Sequence, residues 1–347
     1  MLSLRPWTIL SLLALLCGGG AALLAGCRRS DAFRATPMLF ATPAGFPQPA
    51  YDFAAAPLTR EGVELGRRLF YEGRLSSDGV HACGSCHVAS ASFTTPDHDL
   101  SHGVNSSHTT RNAPALLNLA WYQNYFQDGR YNSLESVTVH HLTSPTEMGE
   151  TLANVVAKLQ GDSAYRRLFR AAYGDETVSA MRLTDALKQF QLSMVSADSR
   201  YDKVKRGEAA FTTQEQSGYA LFIAKCGSCH REPLFSDFSY RNTGLPQDPV
   251  LRDAGRMTVT GNGADSLKFR VPSLRNLSLS SYYGHDGRFS AFRLMLRHYQ
   301  NGVQPGPTLD PLLAGGIPMT TAQEDDLVAF LFTLTDTAYV NNPRYRP

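Results

Sequence analysis

Apolar residues recur at helical spacing in several separate stretches of the chain, and nowhere do they alternate over a run of strand length. After Thr59, the residues Val63, Leu65, Leu69 and Phe70 fall in amphipathic positions. Leu183, Leu187, Phe190 and Met194 mark a second helix. Thr212 followed by Glu215 makes a capping-box pattern, and the helix it opens carries Tyr219, Leu221 and Phe222. Near the end, TTAQEDDLVAFLFTL (320–334) reads as a capped, strongly apolar helix. The fold class expected is therefore mainly α.

The intervening stretches give the organisation. Residues 28–57 hold Pro37, Pro43, Pro47, Pro49 and Pro57 without a helical period, and read as a tether or a strap lying on the surface. The polar run SADSRYDKVKRGEAAF (196–211) reads as a domain junction. The stretches 91–112 and 231–270, rich in Gly, Ser, Asn, Asp and Pro, are expected to be long functional loops. The expected layout is 1–27 as a leader, 28–57 as a tether, 58–204 as a first domain and 205–347 as a second. At 347 residues the chain can bury two ordinary cores.

Composition adds little, but it does exclude something. A net charge of +2 with no basic stripe argues against nucleic acid as a partner. The leader is more telling. Arg5 precedes an apolar stretch, Trp7 to Leu24, broken by Gly18, Gly19 and Gly20 and ending Leu24-Ala25-Gly26-Cys27. The glycine run and small-residue ending fit a cleaved signal better than a membrane span. The ending resembles a bacterial lipobox, which implies lipid on Cys27; an uncleaved anchor is the alternative. Either way the body lies outside the cytoplasm, tied to a membrane by one end.

With Cys17 in the leader and Cys27 at its end, the remaining cysteines sit in two copies of CGSCH, Cys83–His87 and Cys226–His230. ELGRRLF precedes the first copy and QSGYALF the second, so a helix and its motif are duplicated. Cys-x-x-Cys-His can be a c-type haem site, half of a zinc site or a dithiol redox pair. Zinc needs clustered pairs that converge, whereas these copies stand far apart in matching contexts. A thioredoxin-like pair needs a βαβ setting that is missing here. Two thiols on one helical turn suit the two vinyl groups of haem, and the adjacent histidine suits its iron. The reading is one covalent haem on Cys83, Cys86 and His87, and another on Cys226, Cys229 and His230.

Further blocks carry a resemblance. RNAPALLN (111–118), FQDGR (126–130), SPTEM (144–148) and FRVPSLRN…YYGHDGRF (269–289) occur in this order. The chain resembles the bacterial di-haem cytochrome c peroxidase family, including its MauG-like members, over nearly the whole mature sequence. The resemblance implies two cytochrome c-like haem domains, peroxidatic in the N-terminal half and electron-transferring in the C-terminal half, with calcium between them. It implies that Glu147 of SPTEM is the catalytic proton carrier. It also implies Tyr299 of LRHYQNG as sixth ligand of the second haem, with Met295, one helical turn earlier, as rival. Asn112 and the backbone carbonyls of Ser280 and Tyr282 would hold the calcium. The expected substrate is hydrogen peroxide, with electrons from a small periplasmic cytochrome c or cupredoxin. A MauG-like oxidation of a protein partner, or plain electron transfer, are the other readings. Arg28 after the lipid cysteine points to the outer membrane, and a homodimer is compatible with the resemblance.

The family pattern breaks at three positions. Gln127 stands where a bridging tryptophan is usual, which leaves direct tunnelling or the nearby Trp121, Tyr122 and Tyr125. Val104 stands where a distal histidine is usual, flanked by His102 and His108. Val137 replaces a glutamine of the pocket, and His140 and His141, close to Glu147 in sequence, are expected to line the pocket instead.

Overall fold

Thr59 is extended and its side chain accepts the Gly62 N–H, so the first helix, α1 (Arg60–Phe70), starts where its spacing predicts. The computed structural model describes residues 33–347, so the leader and Cys27 lie outside the described residues. Of these, Ala35–Pro347 form one compact unit, mainly α. After α1 come the short α2 (Cys83–Cys86), then α3 (Leu134–Thr143), α4 (Leu152–Gly161), α5 (Ser163–Tyr173) and α6 (Ala180–Leu192). The second half holds α7 (Arg200–Lys205), α8 (Thr213–Lys225), α9 (Met257–Thr260), α10 (Phe292–Arg297), α11 (Thr321–Phe332) and α12 (Thr337–Val340). Among the described residues the strands are two antiparallel pairs: β1 (Pro37–Met38) with β2 (Leu58–Thr59), and β3 (Tyr240–Arg241) with β4 (Phe269–Arg270).

The duplicated glycine shows why the repeat exists. An alanine methyl at Gly66 would lie 1.9 Å from the Ala186 carbonyl oxygen, and one at Gly218 would lie 1.9 Å from that of Asp326. Only a residue without a side chain lets α1 cross α6, and α8 cross α11, this closely. The Leu-Phe that follows completes each crossing: Phe70 packs on Phe190 at 5.3 Å between ring centres, and Phe222 on Phe330 at 5.1 Å. All four rings are buried. The copies differ in one respect. α8 runs straight into Cys226, whereas α1 stops at Phe70, and a turn over Gly73–Leu75 and a loop lead to Cys83.

A second block is also repeated, at one constant spacing. Asn118 and Asn276 are both left-handed and start the turns Leu119–Trp121 and Leu277–Leu279. Tyr125 pairs with Tyr131 as Tyr283 pairs with Phe289. Asp128 holds Arg130 at 2.6 Å as Asp286 holds Arg288 at 2.5 Å. Ser133 and Ala291 then begin α3 and α10.

Two long-range features bind the halves together. In the proline-rich stretch, Phe40 stacks on Phe53 at 3.9 Å, and Trp121 donates its indole N–H to Pro47 O, so this part is a strap lying on the surface. Its Phe46 ring touches Trp121 on one side and the Arg275 guanidinium on the other. At the far end of the chain, Tyr339, Val340 and Tyr345 pack into the apolar cluster around α1 and α6. The polar run 196–211 contains α7, whose Tyr201 is buried in the cluster around α8 and α11.

Candidate functional site

Each CGSCH ends with a histidine whose orientation is set by backbone carbonyls. His87 Nδ1 lies 2.7 Å from Phe93 O. His230 Nδ1 lies 3.1 Å from both Phe235 O and Pro272 O. Carbonyls only accept, so Nδ1 carries the proton and Nε2 is left as the free lone pair, the tautomer an iron ligand needs. Phe93 and Phe235 both have positive φ, 61° and 54°. Bulky residues rarely adopt that conformation, and its equal recurrence marks strain held at two equivalent sites. Burial pushes the His87 imidazole down to about 4 and lowers that of His230, so both rings are neutral. The four thiols are free of disulfides. Burial pushes Cys83 and Cys226 up to about 12. Among the described residues no three His, Cys, Asp or Glu side chains gather as a metal cluster, so the two motifs do not converge into one zinc site.

A cavity of about 350 Å³ lies beside the first motif. Cys83, Cys86 and His87 line it, as do Glu147, His140, His141 and Val137. Leu116, Leu119, Tyr122, Tyr125 and Phe126 make much of it apolar. Gln127 Oε1 and Arg270 Nε, both from cavity-lining residues, are buried without a hydrogen-bond partner. A mostly apolar cavity with free thiols, a neutral histidine and an unpaired Arg270 Nε–H donor fits a haem with its propionate groups.

Glu147 is fixed by its own loop. Its N–H bonds Ser144 O, its carbonyl accepts the Val104 N–H, and the next residue, Met148, is buried in the core. The side chain meets His141 Nδ1 at 2.5 Å. Burial opposes the charge on Glu147, but the adjacent His141, and after it His140, outweigh it and hold the carboxyl below its ordinary value. Glu147 is thus a carboxylate at neutral pH. Glu135 sits elsewhere, 2.7 Å from Lys188 Nζ, and does not line the cavity.

The departures find their places. Val104 is buried beneath the Glu147 loop. His102 lines the cavity, with the His98 and His108 rings 4.4 Å and 4.5 Å from its own. Gln127 donates its amide to Asn112 O. Trp121 is turned to the strap, whereas Tyr122 faces the cavity and packs on Phe238 at 4.7 Å. At the second motif, Tyr299 is half-buried in the wide turn His298–Gly302 that continues α10. Burial raises its phenol, and the next largest influences are Cys226 and Cys229, which places it beside that motif. Asn112 is buried and donates its amide to Asp99 O. Ser280 Oγ donates to Tyr282 O, and the two are not hydrogen-bonded to Asn112.

Known proteins bear on the same residues. A family model described as di-haem cytochrome c peroxidase matches residues 60–210. The methylamine utilization protein MauG of Methylorubrum extorquens is 34% identical over 324 residues, covering 92% of this chain and 89% of its own. The chain belongs to the di-haem cytochrome c peroxidase family. Within it, cytochrome c peroxidase Ccp of Escherichia coli is 32% identical, covering 80% of this chain and 59% of its own. Among solved structures, a MauG-like protein associated with microbial copper homeostasis superposes with a TM-score of 0.81 at 32% identity, covering 89% of this chain and 98% of its own. The diheme peroxidase BthA from Burkholderia thailandensis gives 0.71 at 25% identity, covering 86% and 93%. Membership carries two c-type haems and peroxidase-type oxidoreductase chemistry.

The sequence reading that His140 and His141 line the pocket where Val137 stands agrees with the cavity, but it gave His141 no contact with Glu147. A signal for His141 was present: YFQDGRY and YGHDGRF are copies, and counting on from them puts His141 level with Tyr299.

Proposed function

We propose that the protein reduces hydrogen peroxide to water with electrons from a small periplasmic cytochrome c or cupredoxin. Cys83, Cys86 and His87 would hold the first haem, and Cys226, Cys229 and His230 the second. When bound, the first supplies an iron that binds peroxide, and the second passes electrons towards it. Phe93 O keeps the His87 ring in the tautomer that leaves Nε2 free. The observation that carries the reading is a carboxylate, Glu147, on the wall of the cavity that His87 also lines. Being ionised, it can take the proton from one peroxide oxygen and return it to the leaving one. Leu116, Leu119 and Phe126 restrict water around that transfer.

Tyr299 is the proposed sixth ligand of the second haem, with Met295 as rival. Asn112 Oδ1 and the carbonyls of Ser280 and Tyr282 are the proposed calcium ligands. Cys27 would carry lipid and hold the enzyme, as a monomer or a homodimer, on the periplasmic side of the outer membrane. No helix among the described residues is long and apolar enough to cross a membrane.

A second reading, oxidation of a protein partner, is favoured by Tyr299 and by the MauG-like neighbour. Turnover of the holoprotein with peroxide and a reduced small cytochrome c separates the two. Many turnovers, each consuming two electrons, support the peroxidase; a failure to oxidise any small donor, with modification of a co-expressed protein instead, supports the second reading.

A further inference from the structure

We propose that His141 is the proton-carrying partner of Glu147, and that it stands at the position in the first half of the repeat that Tyr299 holds in the second. The inference rests on the peroxidase reading and deepens it. Its first support is the internal repeat. From Asn118 and Asn276 onwards the halves run at one spacing: Tyr125 with Tyr283, Asp128 with Asp286, Tyr131 with Phe289, and the caps Ser133 and Ala291. His141 and Tyr299 fall at that same spacing, each late in the helical segment that follows its cap. Equivalent backbone sets the two side chains at equivalent positions of the repeat, and His141 lines the cavity beside the first motif.

The second support is local. His141 meets Glu147 Oε2 at 2.5 Å through Nδ1. Its ring stacks on Phe126 at 5.1 Å with the planes 15° apart, which fixes its tilt. Its side chain is 36% exposed and that of Glu147 20%, so the histidine is the wetter of the two. Reduction of one peroxide consumes two electrons, which the reduced small redox protein supplies, and two protons, giving two waters. Glu147 only shuttles a proton from one oxygen to the other. The two net protons must come from water, and His141 bridges the wet side of the cavity to the carboxylate. Charged His141 gives its Nδ1 proton to Glu147, Glu147 passes it on, and the imidazole is recharged from water. His140 is spent differently, since its Nδ1 faces the Tyr131 hydroxyl at 3.1 Å.

The test is made on holoprotein with both haems. His141→Ala should keep covalent haem content and lower peroxide turnover by about 10²-fold, the low end for a positioned acid–base group. Added imidazole should restore much of the loss, which a merely structural role would not allow. His141→Gln, which keeps a hydrogen bond to Glu147 and fills the space, should lose turnover without imidazole rescue. Full turnover in His141→Ala beside an inactive Glu147→Gln would overturn this inference and leave the peroxidase reading standing. Full turnover in both would overturn the proton-carrier reading itself. Loss of haem from both His141 variants would make the residue structural and also overturn the inference.

Discussion

Replacing Gly218 by alanine tests the helix crossing that seats the second motif. The new methyl would lie 1.9 Å from Asp326 O and 2.9 Å from Phe330 Cβ, where ordinary contact begins at 3.4 Å. The first obstacle is backbone and cannot swing aside, so α8 and α11 must part by roughly 1.5 Å in a close-packed interior. Overpacking of this kind costs about 1–3 kcal/mol, and a backbone obstacle belongs at the upper end. Alanine gains back about 1 kcal/mol of helix propensity over glycine. The net loss is then about 2 kcal/mol, which lowers the melting temperature by about 3 °C in a chain this long. Gly66→Ala should behave alike, since its methyl meets Ala186 O at the same 1.9 Å. Gly161→Ala is the control: it lies in α4 with nothing within 4 Å, so it should be neutral or slightly stabilising. Thermal melts followed by far-ultraviolet circular dichroism and by haem absorption read the result. A Gly218→Ala protein that melts with the wild type, or a Gly161→Ala protein that falls as far, would refute the argument.

Other perturbations follow from named contacts. Tyr299→Phe removes the only oxygen that side chain offers, so the absorption and resonance Raman spectra of the second haem should change; identical spectra would remove Tyr299 as a ligand. Asp202 is buried and gripped by Arg275 through two bonds of 2.8 Å. Burial alone would raise its carboxyl, but Arg275 and Ser199 outweigh that and hold it below the ordinary value. Its contribution is therefore present above the unfolded pKa near ~3.9 and is lost as pH falls through the lower folded value. Asp202→Asn should cost about 3–5 kcal/mol at neutral pH by leaving Arg275 unpaired, with the gap to wild type closing in acid; a gap independent of pH in urea titrations would contradict the assignment.

Much of this arrangement could be read from residue order because it depends on local chemistry. Thr59, Thr212 and Thr320 cap the helices they precede, and Glu215 closes the box expected at Thr212. The glycine and Leu-Phe shared by the two copies marked a duplicated helix, but not the close crossings it makes at Ala186 and Asp326. What escaped depends on distant contacts or on backbone angles that residue type does not specify. Nothing in Tyr339 or Tyr345 says that the chain end returns to the first cluster. The left-handed Phe93 and Phe235 carry no sign of that conformation, since phenylalanine disfavours it. Met194, placed on a helix by its spacing, lies just past the end of α6 yet is buried in the same core. The pairing of His141 with Glu147 joins a helix to the loop after it, and the repeat that singles out His141 is visible only once both blocks are aligned.

Peroxide turnover of Glu147→Gln against Glu135→Gln, with covalent haem content measured in both, addresses the central claim most directly. Glutamine keeps the shape of each side chain and removes the titratable oxygen. With both haems retained, Glu147→Gln should lose about 10²–10⁴-fold in rate, and Glu135→Gln, whose partner is Lys188 outside the cavity, should stay near wild type. Full turnover in Glu147→Gln, with Glu135→Gln inactive, would contradict the assignment of the proton carrier.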